Sequence, residues 1–495
     1  MIKNSFFLLF KLLITLFVTL YCSRVLLQEL GIEDFGIYNI VGGIVSLLSF
    51  LTGALASSSQ RFFSYELGKN NGNISNYFSM TMIVYFILSI VLVIISQTIG
   101  LWFIYEKINI PSVRFSAAIT VYQVSVLTFI ISIMAAPFNA LLISYEKMKL
   151  YSLIGITIVI IRLLLVISLI YIDADKLIVY SIISLFLSFI SFLLPFYFCK
   201  KQIKDVKFKI VWSRKRFNEL LSYSGWNLFG SLSAVGFNQG VNILINIFFG
   251  PTVNAARGLA VQVNSAILGF TTNINTAINP QIIKRYSSNE LESMLGLVKN
   301  GSKYSFLVIG FISIPILFNT EYILSIWLTE VPEYTVSFIQ LIIIDSLVCG
   351  FSAPLMTSVQ ATGKIKYYQI IVGGLLLLNI PISYFLLIKY SNPLIPLLVT
   401  IALSFIAFNA RLFFTRSLIG LGIRDFYLNV VIKSIVTILI SISANLFVLN
   451  KVGGFGFLNI VIVGLINSVC IFIFGLNRTE KKFISSKIFS VLKKY

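Results

Sequence analysis

Residues 6–27 read FFLLFKLLITLFVTLYCSRVLL, an apolar run with only two charged residues, Lys11 and Arg24. An α-helix needs about 20 predominantly apolar residues to cross the hydrocarbon core of a bilayer. This run is too long for the apolar part of a cleavable secretory signal, and it lacks a small-residue cleavage site. We therefore expect it to remain in the protein as the first membrane span.

The composition of the whole chain extends this interpretation. The chain has 495 residues, of which 58% are hydrophobic and 11% charged, and its mean hydropathy is +0.94. Soluble domains are about 45–50% apolar and about 25% charged. A water-soluble fold of this composition would lack the polar groups to cover its surface, so lipid must be the solvent for much of it.

The length rule predicts fourteen membrane spans joined by short loops. The predicted spans are residues 6–27, 36–60, 77–103, 116–144, 151–172, 177–199, 222–249, 257–281, 303–325, 336–361, 367–388, 393–415, 427–449 and 455–476. Lys and Arg alternate between the loops, with 28 on one side and six on the other. Because cytoplasmic loops carry the excess of these residues, we expect an even number of spans and both termini in the cytoplasm.

Several classes of chemistry have no residues to support them. The chain has no histidine, no P-loop motif and four widely separated cysteines, Cys22, Cys199, Cys349 and Cys470, which we interpret as small apolar residues. We therefore expect no metal site, no cofactor and no enzymatic activity. The net charge of +20 follows from the loop asymmetry, and no folded basic domain is present to bind a nucleic acid.

An internal repeat relates the two halves of the chain. Residues 31–69 contain a glycine in an outer turn, then a span rich in small and polar residues, then a basic end, and residues 250–285 repeat this order. Gly250 thereby corresponds to Gly31 and Thr271 to Thr52. Repeats of this kind are typical of secondary transporters whose substrate site lies between the halves.

The repeat defines the expected fold and domains. The predicted fold class is an all-α polytopic membrane protein with two pseudo-symmetric six-helix lobes around a central cavity and two additional C-terminal helices. The expected segments are an N-terminal lobe (1–205), a cytoplasmic amphipathic linker (206–221), a C-terminal lobe (222–416), helices 13 and 14 (417–477) and a basic cytoplasmic tail (478–495). Residues 211–226 and the tail from Lys481 mix basic and apolar residues at helical spacing, so we expect them to lie on anionic membrane lipids. The alternative is a solvated loop whose charges only set topology.

Polar side chains within the spans are costly in lipid and therefore mark candidate sites. Span 7 carries Asn238, Asn242 and Asn246 on one face, and span 8 carries Asn264, Thr271 and Asn275. Neutral amides along a wet cavity suit a ligand rich in hydroxyl groups, such as a glycan. The predicted glycan path consists of Asn242, Asn246, Asn264, Asn275 and Gln360. The alternative for each residue is a hydrogen bond between helices, worth about 0.6 kcal/mol.

The charges within or beside the spans are mostly basic, which indicates a cavity that attracts anions. The candidate anion-binding residues are Lys11, Arg24, Arg61 and Arg257. Their alternative is to extend toward lipid headgroups. Apart from Glu321 near the end of span 9, Asp345 is the only acid within the predicted spans, and it either couples transport to a proton or cation, or forms a structural pair with a basic residue such as Arg162.

Several ordered motifs resemble those of bacterial polysaccharide transporters. They are LGIEDFGIYN at 30–39, QRFFSYELGK at 60–69, AARG at 255–258, NPQIIK at 279–284 and QATGK at 360–364. The resemblance is to the O-antigen (oligosaccharide) flippase branch of the multidrug/oligosaccharidyl-lipid/polysaccharide (MOP) superfamily, and it covers essentially the whole chain. It implies two six-helix lobes, a central cavity and alternating access. Lipid II flippases of this superfamily use cavity arginines from spans 1, 2 and 8, to which Arg24, Arg61 and Arg257 correspond by span.

From the resemblance we expect a flippase that moves undecaprenyl-pyrophosphate-linked oligosaccharide units of the O-antigen or capsule type across the bacterial inner membrane. The partners it implies are that lipid-linked substrate, together with polymerase and chain-length proteins. One alternative is a cation-coupled antiporter of small molecules, of the multidrug (MATE) type, which would need an anionic cavity. The other is a membrane glycan polymerase or glycosyltransferase, which would need an acid cluster or an additional domain.

Overall fold

The computed structural model describes residues 2–46, 49–69, 72–107, 112–203, 205–206, 212–327, 331–452, 456–478 and 480–482. Helices account for almost all of this part of the chain, and it contains no β-strand. The predicted all-α fold class is confirmed. The predicted amphipathic tail lies almost entirely outside the described residues, as does part of the 206–221 linker.

The helices are long, and several continue beyond the predicted spans. Those of the first half are α1 (Ile2–Ser46), α2 (Ser49–Gly68), α3 (Ile74–Ile95), α4 (Leu101–Lys107), α5 (Phe115–Ser144), α6 (Met148–Ser168), α7 (Lys176–Gln202) and α8 (Arg214–Ser287). The second half contains α9 (Leu291–Phe318), α10 (Thr320–Trp327), α11 (Thr335–Gly350), α12 (Ser352–Thr362), α13 (Lys366–Leu377), α14 (Asn379–Tyr390), α15 (Ile395–Ile419), α16 (Ile423–Phe426), α17 (Lys433–Val452) and α18 (Phe457–Cys470). Three π-helical segments, Ser96–Gly100, Tyr427–Ile432 and Ile471–Gly475, extend α3, α16 and α18.

Eleven of the described helices are long and apolar enough to cross a membrane, or twelve when the bent pair α11–α12 is taken as one span. The count of fourteen is therefore not confirmed. The two predicted spans outside this set are 36–60, which crosses undescribed residues 47–48, and 257–281. The second of these lies in the polar part of α8, where asparagines recur among the apolar residues.

Large apolar side chains cover much of the outer surface. Phe17 is 73% exposed and Phe385 69%, and Ile247, Phe413 and Leu164 are similarly exposed. Exposed apolar surface on this scale is unfavourable in water but not in hydrocarbon. The surface therefore confirms a multi-pass membrane protein.

The chain forms two compact units. Unit 1 comprises Met1–Leu232 and Asn279–Glu290, and unit 2 comprises Ser233–Ile278 and Leu291–Tyr495. In unit 1, α1 packs along α6 and α5 packs along α7, around buried residues that include Cys22, Tyr122 and Leu169. In unit 2, the core is formed by residues of α8, α9, α11 and α15, among them Ile245, Phe338 and Leu397. Both boundaries of the 233–278 segment fall inside the continuous helix α8, and α17 and α18 belong to unit 2.

Two glycines interrupt the helical backbone in corresponding places. Gly31 has φ 74° and ψ 171° inside α1, and Gly250 has φ 78° and ψ −175° inside α8. This combination of angles is essentially restricted to glycine, because a Cβ atom would clash with the backbone. The two positions that the repeat aligned thus share one unusual backbone geometry.

One predicted element differs in the structure. Residues 214–226 do not form a separate surface helix, since α8 continues from Arg214 to Gly250 without a non-helical residue. The Ser213 side chain caps this helix by accepting a hydrogen bond from the Arg216 N–H group, with an N–O distance of 3.5 Å. The basic segment is therefore the first part of the span-7 helix, because no residue in it breaks the helical hydrogen bonding.

Candidate functional site

The two predicted cations of α1 lie in different environments. Arg24 is exposed, on the same side of the helix as Phe10, Phe17 and Tyr21. Lys11 lies roughly 140° away around the helix axis, at 100° per residue, and its ammonium group is 4.1 Å from the centroid of the Tyr151 ring of α6. The structure therefore does not bring Lys11 and Arg24 together.

Arg61 is buried among aromatic rings in unit 1. Its guanidinium carbon lies 4.7 Å from the centroids of Phe62 and Tyr65 and 5.2 Å from that of Tyr223. Stacking of this kind stabilises a partly desolvated guanidinium by about 0.5–2 kcal/mol. These three rings thus surround the Arg61 guanidinium within unit 1.

Arg257 is the predicted cation with the most distinctive surroundings. Its side chain follows the Gly250 break by two turns and is only 7% exposed. One guanidinium nitrogen donates to Asn242 Oδ1 at 3.1 Å, and another donates to the Asn238 carbonyl oxygen at 3.0 Å. Arg257 forms no ion pair with a carboxylate in the described part of the chain. Because the helix is broken at Gly250, Arg257, which follows the break, reaches back to Asn238 and Asn242, which precede it.

Two polar atoms beside this cation have no hydrogen-bond partner among the residues that the structure describes. They are Arg257 Nε, a donor, and Asn254 Oδ1, an acceptor, and both atoms are buried. Residues three apart on a helix lie on neighbouring positions of one face. A hydroxyl group can accept from the first and donate to the second, and a phosphate oxygen can accept from the first. We name Asn238, Asn242, Asn254 and Arg257 the Arg257 cluster.

The predicted glycan-path residues have mixed surroundings. Asn264 Oδ1 accepts from Ser346 at 2.6 Å, and Asn275 Oδ1 accepts from Ser305 at 3.2 Å, so both join α8 to neighbouring helices of unit 2. Gln360 is buried in α12. Asn246 is exposed on α8, one turn from Asn242. Of these five residues, Asn242 is in contact with a predicted cation, Arg257.

Asp345 lies in unit 2 beside a cation other than the one predicted. Its neighbours are Ser404, which hydrogen-bonds to its carboxylate, and Arg411. The basic neighbour of Asp345 is thus Arg411, whereas Arg162, the example named from the sequence, hydrogen-bonds to Tyr180 in unit 1. Asp345 Oδ1 and Arg411 Nε are both buried without a hydrogen-bond partner. The site thus holds one carboxylate oxygen free to accept a proton or a cation.

Sequence reasoning missed the ion pairs that hold the helix ends. Arg114 binds both Asp34 and Asp175, and Lys176 binds Glu29 at 2.7 Å. The hydrogen bonds from Arg114 hold the pKa of the Asp175 carboxyl below its ordinary value. The alternation of Lys and Arg between loops predicts that all five residues lie on the outer side of the membrane, so their general proximity was predictable. The specific ion pairs were not predictable from this alternation, because they depend on how α1, α5 and α7 pack.

The described residues contain no group of three or more Cys, Asp or Glu side chains that could hold a metal ion. The four cysteines are free, and three of them are buried. A shallow cavity of about 420 Å³ in unit 2 contains none of the predicted site residues; it is lined by Leu386, Tyr390, Asn392, Ile395, Leu398 and Val399.

The fold is that of the MATE transporters. An outward-facing multidrug resistance MATE transporter of the MOP superfamily matches with a TM-score of 0.73 at 13% identity, covering 84% of this chain and 96% of that one. A MOP superfamily transporter from Pyrococcus furiosus, described as having a binding pocket of reverse polarity, matches with a TM-score of 0.71 at 14% identity and the same coverage. The chain therefore shares the fold of these transporters.

The sequence comparisons define the family more narrowly. A family model described as polysaccharide biosynthesis protein matches residues 1–285, and a MatE model matches residues 228–385. The chain is also similar to the uncharacterized membrane protein EpsK of Bacillus subtilis (strain 168), with 22% identity over 304 residues, or 60% of this chain and 59% of that protein. Because the first model matches more than half of the chain, this protein belongs to the polysaccharide biosynthesis protein family of the MOP superfamily.

Proposed function

We propose that this protein is a flippase that translocates undecaprenyl-pyrophosphate-linked oligosaccharide units of the O-antigen or capsule type across the bacterial inner membrane, with both termini in the cytoplasm. The observation that carries the proposal is the Arg257 cluster in a chain of the polysaccharide biosynthesis family. A buried guanidinium without a carboxylate partner carries a net positive charge in a medium of low dielectric constant, where an anionic ligand is bound strongly.

The cluster suits both parts of such a cargo. The Nε–H group of Arg257, which has no acceptor in the described part of the chain, supplies a charge-assisted hydrogen bond to a phosphate oxygen. Asn254, Asn242 and the exposed Asn246 supply amide groups to sugar hydroxyls. Binding here involves no bond making, so the proposed role is transport and not catalysis.

In this proposal, Asp345 couples transport to the binding of a proton or a cation. Its buried Oδ1 atom has no partner among the described residues, whereas Ser404 hydrogen-bonds to the carboxylate and Arg411 is its electrostatic neighbour. Binding of a proton or a cation would neutralise the acid beside Arg411 and change the balance of charge within unit 2. Arg24 and Arg61 are assigned supporting roles, as an exposed cation on α1 and a packing residue of α2.

The decisive variant is Asn242→Asp. It is nearly isosteric and places a carboxylate 3.1 Å from the Arg257 guanidinium, which neutralises the cation without removing it. We expect glycan export to be lost in a strain that depends on this protein, while lipid-linked oligosaccharide accumulates on the cytoplasmic side. The purified variant should be at least as stable as the wild type, because it gains an ion pair.

Arg285→Gln is the matched control, since Arg285 is an exposed arginine that pairs with Glu290. Export should be unchanged in this variant. If Arg257 were only structural, Asn242→Asp would leave export intact, and the proposal would be wrong. Resistance to small cationic compounds, conferred by the wild type in a drug-sensitive strain, would support the rival MATE-type antiporter, which the MatE match over residues 228–385 favours.

A further inference from the structure

Two lysines of unit 1 lie on the line of contact between α1 and α6. The Lys11 ammonium nitrogen is 4.1 Å from the centroid of Tyr151, and that of Lys149 is 6.0 Å from the centroid of Phe7. Cys22, further along α1, lies near Arg162, further along α6, so the two helices run in the same direction. We name Phe7, Lys11, Lys149, Tyr151 and Gly155 the α1/α6 seam.

The two ammonium groups of the seam have aromatic neighbours but no counter-charge. Neither lies within ion-pair distance of a carboxylate in the residues that the structure describes. An aromatic ring stabilises a cation but leaves its charge uncompensated. The seam is therefore a cationic position on the side of unit 1, open to an anion because Lys149 is exposed and Lys11 is half-buried.

The depth of the seam in the membrane identifies the kind of anion. Helix α6 begins at Met148, so Lys149 and Tyr151 lie in its first turn, and the Lys11 ammonium group lies at the same level because it is 4.1 Å from the Tyr151 ring. The first turn of a span lies where the hydrocarbon meets the lipid headgroups, and aromatic residues such as Tyr151 are enriched there. The anions concentrated at this depth are the phosphates of membrane lipids.

The sequence of α6 makes room for Lys11 at this position. A Cβ atom on Gly155 would lie 2.3 Å from Lys11 Cε and 2.8 Å from its Nζ. The lysine side chain therefore lies directly across Gly155 and places its ammonium group beside Tyr151. An alanine at position 155 would therefore displace the flexible end of the Lys11 side chain.

We propose that the α1/α6 seam is a binding site for the phosphate of an anionic glycerophospholipid of the bilayer, with phosphatidylglycerol as its probe. Lys11 and Lys149 bind the phosphate from two adjacent helices, and Phe7 and Tyr151 flank the glycerol region. The site is separate from the Arg257 cluster and does not depend on the cargo proposed above. It reassigns Lys11 from the cargo site to a lipid site.

The test measures lipid binding to the purified full chain by native mass spectrometry. Phosphatidylglycerol, phosphatidylcholine and undecaprenyl phosphate are titrated separately. A lysine near an anionic lipid surface strengthens binding roughly fivefold, so Lys11→Gln with Lys149→Gln should weaken phosphatidylglycerol binding about 25-fold. Phosphatidylcholine binding should not change.

Two further variants control the interpretation. Lys200→Gln with Lys201→Gln removes two exposed lysines from the end of α7, one of them 5.8 Å from the Tyr197 ring, and should bind phosphatidylglycerol as the wild type does. Gly155→Ala keeps every charge but displaces Lys11, and should weaken phosphatidylglycerol binding while the protein stays folded. Wild-type binding by the Lys11/Lys149 variant or by Gly155→Ala would overturn the proposal. So would binding of undecaprenyl phosphate at the seam without binding of phosphatidylglycerol.

Discussion

The ion pair between Lys303 of α9 and Glu480, which follows α18, offers a sharp test of how unit 2 is held together. The Lys303 side chain is 7% exposed and that of Glu480 16% exposed. Lys303 Nζ lies 2.8 Å from both carboxylate oxygens, and the Tyr304 hydroxyl and the Asn477 N–H group each donate at 2.6 Å. Every side of this carboxylate is therefore occupied by a donor.

The perturbation is Glu480→Gln. It removes the negative charge and leaves the Lys303 ammonium buried without a counter-charge, which costs about 3–5 kcal/mol when a buried pair is broken from one side. The matched control is Glu146→Gln, because Glu146 pairs with Lys284 where both side chains are 24–28% exposed. A pair exposed to that extent contributes about 0.2–1 kcal/mol. We therefore expect a severalfold difference between two Lys–Glu pairs of similar length.

The assay is equilibrium unfolding of the purified protein in mixed micelles, followed by tryptophan fluorescence. Replacing both partners, as in Lys303→Met with Glu480→Leu, should recover most of the loss because no unpaired charge remains. The reasoning is refuted if Glu480→Gln costs no more than Glu146→Gln. It is also refuted if the double variant is as unstable as Glu480→Gln alone.

The same pair predicts a pH dependence. Burial raises the pKa of the Glu480 carboxyl, but the hydrogen bonds from Lys303, Tyr304 and Asn477 outweigh burial and hold it below its ordinary value of 4.5. A depressed pKa in the folded state contributes stability above the unfolded-state pKa that is lost as the pH falls through the folded-state value. The difference between wild type and Glu480→Gln should therefore be constant near neutral pH and should vanish in acid.

Further predictions concern the backbone and the outer ion pairs. Gly250→Ala should lower the free energy of unfolding by about 1–3 kcal/mol from backbone strain alone, since a Cβ there meets no atom within 4 Å. Gly258→Ala, equally unobstructed but helical, should be neutral or stabilising by about 0.5–1 kcal/mol, and equal losses in the two variants would refute the role of φ. Arg114→Gln should lower the melting temperature at neutral pH, because it frees Asp34 and Asp175. Since Arg114 lowers the pKa of Asp175, that difference should disappear as the pH falls through the folded-state pKa of Asp175, and a difference persisting in strong acid would contradict the pairing.

The sequence predictions that the structure confirms are those based on composition and local backbone geometry. Long apolar runs and a low charge content are favourable only where lipid surrounds the chain, and helices satisfy the backbone hydrogen bonds there. These two features therefore identified a helical membrane protein. The repeat depended on glycines at positions where other residues are sterically excluded, and Gly31 and Gly250 share one backbone geometry accordingly. The order of short motifs was enough to identify the superfamily.

The sequence left open which polar residues meet inside the bundle. The structure places Arg411 beside Asp345, for which the sequence offered Arg162 as one example, and it gives Asn264 a hydrogen bond from Ser346. A soluble helix shows its buried face by hydrophobic periodicity, whereas a membrane helix is apolar on most sides. The sequence therefore contains little information on which neighbour a polar side chain faces.

The amino-acid sequence alone showed that lipid surrounds much of this protein and that its architecture is helical. It also showed the repeated glycine breaks and the superfamily. Each of these depends on local composition or on local backbone sterics. Only the tertiary structure decided that Arg61 is enclosed by aromatic rings, that Lys11 lies on the α1/α6 seam and that Arg257 returns to the amides of its own helix. These three cations have the same chemistry in the sequence. Their roles differ because packing, and not charge, determines which groups surround them.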